Sequence, residues 1–91
     1  MIDSKPLSVT ILNSESLVAT QMATSVTSYN HLGIFDILPR HENFISIIQK
    51  QIIIHGVDGK DTAYDINKGV LKVSDDKVDI YLETVTKTAT Y

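Results

Sequence analysis

In the segment PLSVTIL the apolar residues Leu7, Val9 and Ile11 alternate with Ser8 and Thr10. A period of two places one apolar row on one face of a strand. The polar run NSES follows, and its short side chains compete for backbone hydrogen bonds, which favours a turn before a second strand from Leu17. The β-branched Thr24, Val26 and Thr27 lower helix propensity and suit a pleated surface, so Ala23 to Tyr29 is predicted as strand. NFISIIQKQIIIHG carries apolar residues on both faces. Its isoleucines favour strand over helix, and QKQ offers a break between two strands. A strand apolar on both faces either lies between layers or covers a partner.

The second half of the chain reads as two consecutive hairpins. HGVDGKDTAYDI holds the Asp58-Gly59 pair that suits a tight turn whose central residues need positive φ. VSDDKV repeats the arrangement, with Asp75 and Asp76 between Val70, Leu71, Val73 on one side and Val78, Ile80, Leu82 on the other. Val78, Ile80 and Leu82 alternate with Asp79, Tyr81 and Glu83, which predicts one core face and one wet or interfacial face. The tail TVTKTATY has β-propensity but little to bury and is expected to fray. Together these segments predict an all-β fold, a small antiparallel β-sandwich of about eight to ten short strands. At 91 residues, one domain spanning 1–91 is expected.

Composition narrows the function classes. The chain is 43% hydrophobic and 21% charged, the balance of a globular protein and not of a disordered one. It has no cysteine, so neither disulfides nor thiolate-bound metal hold it together, which suits a reducing cytoplasm. A net charge of -3 lacks the basic field that a phosphate backbone requires, which argues against nucleic acid. The longest uninterrupted apolar runs, such as Leu17 to Ala19 and Ile52 to Ile54, fall far short of the roughly 18 to 20 residues that span a bilayer. The opening MIDSKPLSV has no apolar core of a signal peptide, so no export is expected.

Candidate chemistry is sparse. His31, His41 and His55 share no helical metal spacing, and a metal site would need them to converge from separate loops. No GxSxG elbow is present, and the pairs Asp75 with Asp76 and Asp58 with Asp61 fall in predicted turns, where carboxylates stabilise the turn and stay solvated. The four glycines are scattered near proposed bends instead of forming a phosphate cradle. No catalytic residue, cofactor or metal is expected, and a binding module is favoured over an enzyme.

The stretch GIFDILPRHENFISII resembles the G-x-x-G-I-L-P-x-H segment of the epsilon subunit of F-type ATP synthases, in its N-terminal β-sandwich domain. LSVTILNSES is similar to the opening strand and turn of that family, and DINKGVLKVSDDKVDIYLETV to its later hairpin, in the same order. The likeness covers Leu7 to Val85. Asp36 stands where the family usually has a second glycine, a residue that tolerates the left-handed region, and SYNHL replaces a Gly- and acid-rich turn.

The resemblance implies a non-catalytic central-stalk subunit whose sandwich packs on the gamma subunit and stands on the c-ring, coupling ion flow to ATP synthesis. By position in the motif, Gly33, Ile34 and Phe35 would lie in a loop facing the c-ring, with Asn30 and His31 nearby; Asn13, His41 and Ser46 would approach gamma. Ile34 and Phe35 fit a core role equally well, Asn13 and Ser46 fit plain turn and strand roles, and His41 fits a role closing the turn at Pro39. The implied location is the cytoplasmic face of a bacterial inner membrane or its organellar equivalent, peripheral through the complex. The family commonly continues into a helical hairpin that can inhibit the motor. The sequence ends before it, by nature or as a fragment, and attachment without that brake is expected. A dimer of the isolated chain through its gamma-facing apolar patch is a further possibility. The alternative is an unrelated β-sandwich adaptor that binds a peptide or glycan along an edge strand.

Overall fold

The computed structural model describes residues 5–14 and 16–83, and the backbone of 85–90. Seven strands run through them: β1 (Leu7–Asn13), β2 (Leu17–Asn30), β3 (Gly33–Ile37), β4 (Phe44–Gly56), β5 (Asp61–Ser74), β6 (Lys77–Leu82) and β7 (Val85–Thr90). They are fewer and longer than the about eight to ten short strands expected from turn spacing. Two predicted strands merge into β2, and QKQ does not interrupt β4. Polar residues that suggest a break from sequence are carried through because β5 supplies a ladder partner for each of Gln49, Lys50 and Gln51, and β2 a second one for Gln49.

One sheet in the order β1-β6-β5-β4-β2-β3 closes on itself through a β1–β2 pairing, giving a barrel-like sandwich. Most pairs are antiparallel, but β1 and β6 run parallel, a departure from the all-antiparallel expectation. That pair joins distant parts of the chain, so no local turn signal announces it. β7 pairs with β5 along Val85 to Thr90. The backbone of that segment is therefore part of the sheet and not frayed, since β5 offers it a free ladder edge; Thr84 and Tyr91 lie outside the described residues.

The corner between layers is built into β4 and β5. Buried residues of β5 fall at Thr62, Tyr64 and Ile66, then switch parity to Gly69, Leu71 and Val73. Gln49 pairs with Lys68 while Lys50 pairs with Ile66, so Asn67 is the extra residue of a β-bulge, and Lys50 takes φ 70. A bulge at this point turns both strands and keeps their apolar side chains aimed inward on either side of the bend. The core is one cluster led by Leu7, Val9, Ile11, Val26, Ile37, Ile48, Ile52, Ile54, Leu71 and Ile80. Dominance by β-branched side chains fits a close-packed sandwich interior.

Both predicted hairpins form. At the second, Asp75 and Asp76 have φ 51 and φ 62, the pair of positive values a two-residue turn demands. At the first only Gly59 is positive, at φ 85, because the connection is longer: Gly59 N donates to Gly56 O and Gly56 N to Lys60 O. Gly69 answers to packing. A Cβ there would meet the Tyr81 carbonyl oxygen at 2.8 Å, so glycine lets β5 and β6 approach.

Candidate functional site

The residues expected to face the c-ring form the β2–β3 hairpin. Asn30 pairs with Gly33, leaving His31 and Leu32 as the exposed two-residue tip. Asn30 shapes the turn by accepting a hydrogen bond from Leu32 N on its Oδ1 at 2.9 Å. Gly33, with φ 120, resumes the strand in a conformation that favours glycine. Gly33, Ile34 and Phe35 therefore lie in strand β3 and not in a loop. Asp36 is likewise extended, opposite Thr27, so the left-handed turn that would have taken a second glycine is absent at this position. Ile34 points outward and is exposed, and Leu32 is 84% exposed. Phe35 turns the other way and packs against the core cluster.

The residues expected to approach gamma do not gather in one place. Ser46 lies beside Asn30, which donates through Nδ2 to Ser46 Oγ at 3.2 Å, so residues assigned to two different partners meet each other. His41 closes a turn: His41 N donates to Leu38 O at 3.1 Å across Pro39 and Arg40, and Arg40 has φ 66. Pro followed by a positive φ is the type II pattern, held here although the second position is arginine and not glycine. A hydrogen bond from Arg40 N to Asp76 Oδ1 at 2.6 Å ties this turn to the β5–β6 hairpin. The His41 ring stands edge-on to Phe44 at 5.4 Å, and Phe44 to Phe35 at 5.7 Å. This aromatic trio links His41 to β3.

Asn13 sits at the far end of β1, where its Oδ1 accepts from Ser16 N at 2.9 Å and its backbone N donates to Ser16 O. It borders an open groove of about 380 Å³ along the outer face of the β4, β5, β6 and β1 layer. Strand register explains the groove. Ile47 pairs with Val70, Val70 with Tyr81, Tyr81 with Leu12, and Leu12 with Leu17, one apolar row across five strands. Ile47, Val70, Tyr81 and Leu17 are all exposed, and Leu12 is half-buried. The sequence marks this row only in part, through two-faced apolar β4 and the outward Tyr81. Its alignment depends on long-range pairing.

The opposite layer carries a chain of polar contacts. Asp36 Oδ1 accepts from Thr27 Oγ1 at 2.5 Å, Thr27 Oγ1 meets His55 Nε2 at 2.9 Å, and His55 Nδ1 meets Asp61 Oδ1 at 3.0 Å. With its proton given to Asp36, the Thr27 hydroxyl offers His55 a lone pair, so both ring nitrogens face acceptors. The chain ties β3, β2, β4 and β5 together. Asp61 is thus a strand residue paired with His55 and not the solvated turn carboxylate expected from sequence. The three histidines stand apart, on the β2–β3 tip, beside Phe44 and within this chain. No group of three metal-ligating side chains gathers among the described residues. Burial raises the Tyr64 phenol above its ordinary value, because the charged form is poorly solvated there. No described helix is long and apolar enough to cross a membrane.

Comparison with known proteins places this geometry. A relative described as the ATP synthase epsilon chain of Trichlorobacter lovleyi is 26% identical over 81 residues, covering 89% of this chain and 59% of its own length. In a cryo-EM structure of the Euglena gracilis mitochondrial ATP synthase (OSCP/F1/c-ring, rotational state 1), one chain superposes with a TM-score of 0.84. It is 19% identical, and the match covers 91% of this chain and 54% of that one. In the central stalk and c-ring of the Tetrahymena thermophila mitochondrial enzyme, one chain matches with a TM-score of 0.70. Identity there is 12%, with 88% of this chain and 65% of that one covered. This chain thus spans well under two thirds of the curated relative it matches. Residues 6–88 match the family described as ATP synthase, Delta/Epsilon chain, beta-sandwich domain, and the chain belongs to that family.

Proposed function

We propose that the chain serves as a central-stalk subunit of an F-type ATP synthase, a non-catalytic body that attaches the gamma subunit to the c-ring. What carries the reading is family membership across residues 6–88. In support, relatives of this shape occur in assemblies described as F1, central stalk and c-ring. The polar tip at Asn30 and His31, with exposed Leu32 and Ile34, is the end offered to the ring. His41, held by its turn and by Phe44, is the side chain offered to gamma, with Asn13 and Ser46 as further points of contact. Membership in the complex would put the chain at the cytoplasmic face of the membrane or the organellar equivalent, without insertion. The adaptor reading has no comparable support.

Co-purification with gamma and c-ring from the same organism tests the role. His41→Ala is expected to weaken gamma binding about tenfold, as loss of a good contact of about 1.4 kcal/mol does. Phe35→Ala should weaken it less directly, by loosening the aromatic trio. Capture of diverse extended peptides without gamma would overturn the assignment.

A further inference from the structure

The outer face of the β4, β5, β6 and β1 layer is ordered in three rows. In the central row Ile47, Val70, Tyr81 and Leu12 stand side by side. On one flank Ile45, Lys72, Asp79 and Thr10 are in register. On the other, Gln49 pairs with Lys68, and Glu83 and Ser14, just beyond the ends of β6 and β1, line the same groove as Lys68. The charges are not scattered. Both flanking cations are on β5; of the two anions, Asp79 is on β6 and Glu83 stands just past its end, with the apolar row between them.

We propose that this face binds a second copy of the same chain, face to face, about a two-fold axis that runs parallel to the strands between β5 and β6. Such an axis keeps each residue's height along the strands and exchanges β5 with β6 and β4 with β1. Val70 then meets Tyr81 of the second copy, and Ile47 meets its Leu12. Lys72 meets Asp79 in register, and Lys68 comes over the end of β6 that leads into Glu83, so cations face anions on both flanks. An isologous contact requires this reciprocity, in which residue i touches j and j touches i.

The competing two-fold is excluded by the same residues. An axis across the strands through the central row would set Lys68 against Lys72 and Asp79 against Glu83, and like charges placed opposite each other are repulsive. The register therefore selects one of two otherwise equivalent packings. Facing sheets cross at about 30°, so the match is tightest at Val70 and Tyr81 and loosens towards the corners. Four strands spaced about 4.8 Å apart and three rows tall make a contact at the low end of specific interfaces, which means a weak and reversible dimer. Asn13, offered above to gamma, borders this groove, so a second copy and gamma would compete for that edge of the face.

Sedimentation velocity of the full chain from about 1 μM to about 1 mM is expected to show a monomer passing reversibly to a dimer. Lys72→Glu should raise the dissociation constant at least tenfold, with the circular dichroism of the fold unchanged. The fourfold exchange K68E, K72D, D79K and E83K should restore self-association. Mixed with the wild type, the exchanged chain should form each homodimer but no mixed dimer in native mass spectrometry, because its charges face like charges on the wild type. A monomer at every concentration, an unaltered Lys72→Glu variant, or a statistical share of mixed dimers would each overturn the proposal. So would a chain that stays monomeric and protects the Val70 and Tyr81 amides from exchange only when gamma is added, which would assign the face to gamma.

Discussion

The two outer faces of this sandwich follow the same alternation but spend their outward positions differently. On the β4–β5–β6–β1 face, Ile47, Val70 and Tyr81 lie exposed in one row. On the opposite face, Asp36, Thr27, His55 and Asp61 bond to one another across four strands. The second face is tied together by its own hydrogen bonds, and the first presents apolar surface that no other described residue covers. Strand period dictates which residues point outward; it says nothing about whether they satisfy one another.

The largest effect that would break this contrast is at Gly69, beneath the centre of the apolar row. Gly69→Ala forces a Cβ onto the Tyr81 carbonyl and pushes β6 away from β5. Urea unfolding should show a loss of about 1–3 kcal/mol, the usual cost of overpacking. Thr27→Val acts on the other face. It keeps the volume but removes the hydroxyl linking Asp36 to His55, and a loss of about 1 kcal/mol is expected, with self-association unchanged. A comparable loss of dimerisation would show that the two faces are not independent.

The smallest effect concerns Tyr64, whose phenol is raised by burial. The unfolded phenol ionises first as pH climbs past its ordinary value of about 10, so the unfolded state then binds fewer protons and stability falls with rising pH. Below that value the contribution is fully present. Tyr64→Phe should flatten this alkaline decline and leave the pH dependence near neutrality unchanged, as read from unfolding midpoints between about pH 7 and pH 11.

Much of the fold could be read from local chemistry. Asp75 and Asp76 marked their turn because positive φ favours short polar side chains, and Leu7, Val9 and Ile11 marked a strand by period alone. The bulge at Asn67 left no such trace, since a parity switch is visible only once β4 supplies the register. The pairing of His55 with Asp61 was accessible in principle: a hairpin around Gly59 sets them opposite each other. Thr27 and Asp36 share a second hairpin, but joining the two pairs needs β2 beside β4, which no local pattern encodes. The motif around Gly33 located the hairpin while misplacing its residues, because Ile34 and Phe35 alternate as a strand does and point to opposite sides.

Because β1 bonds to both β6 and β2, the strands β1, β6, β5, β4 and β2 form a circuit in which each is flanked on both sides. A twisting load applied to any of them is passed to two neighbours at once, and none can peel away without breaking two ladders. A body of this construction resists torsion through its backbone, and shear would begin where residues 17–21 of β2 and 44–48 of β4 each carry a ladder on one side only.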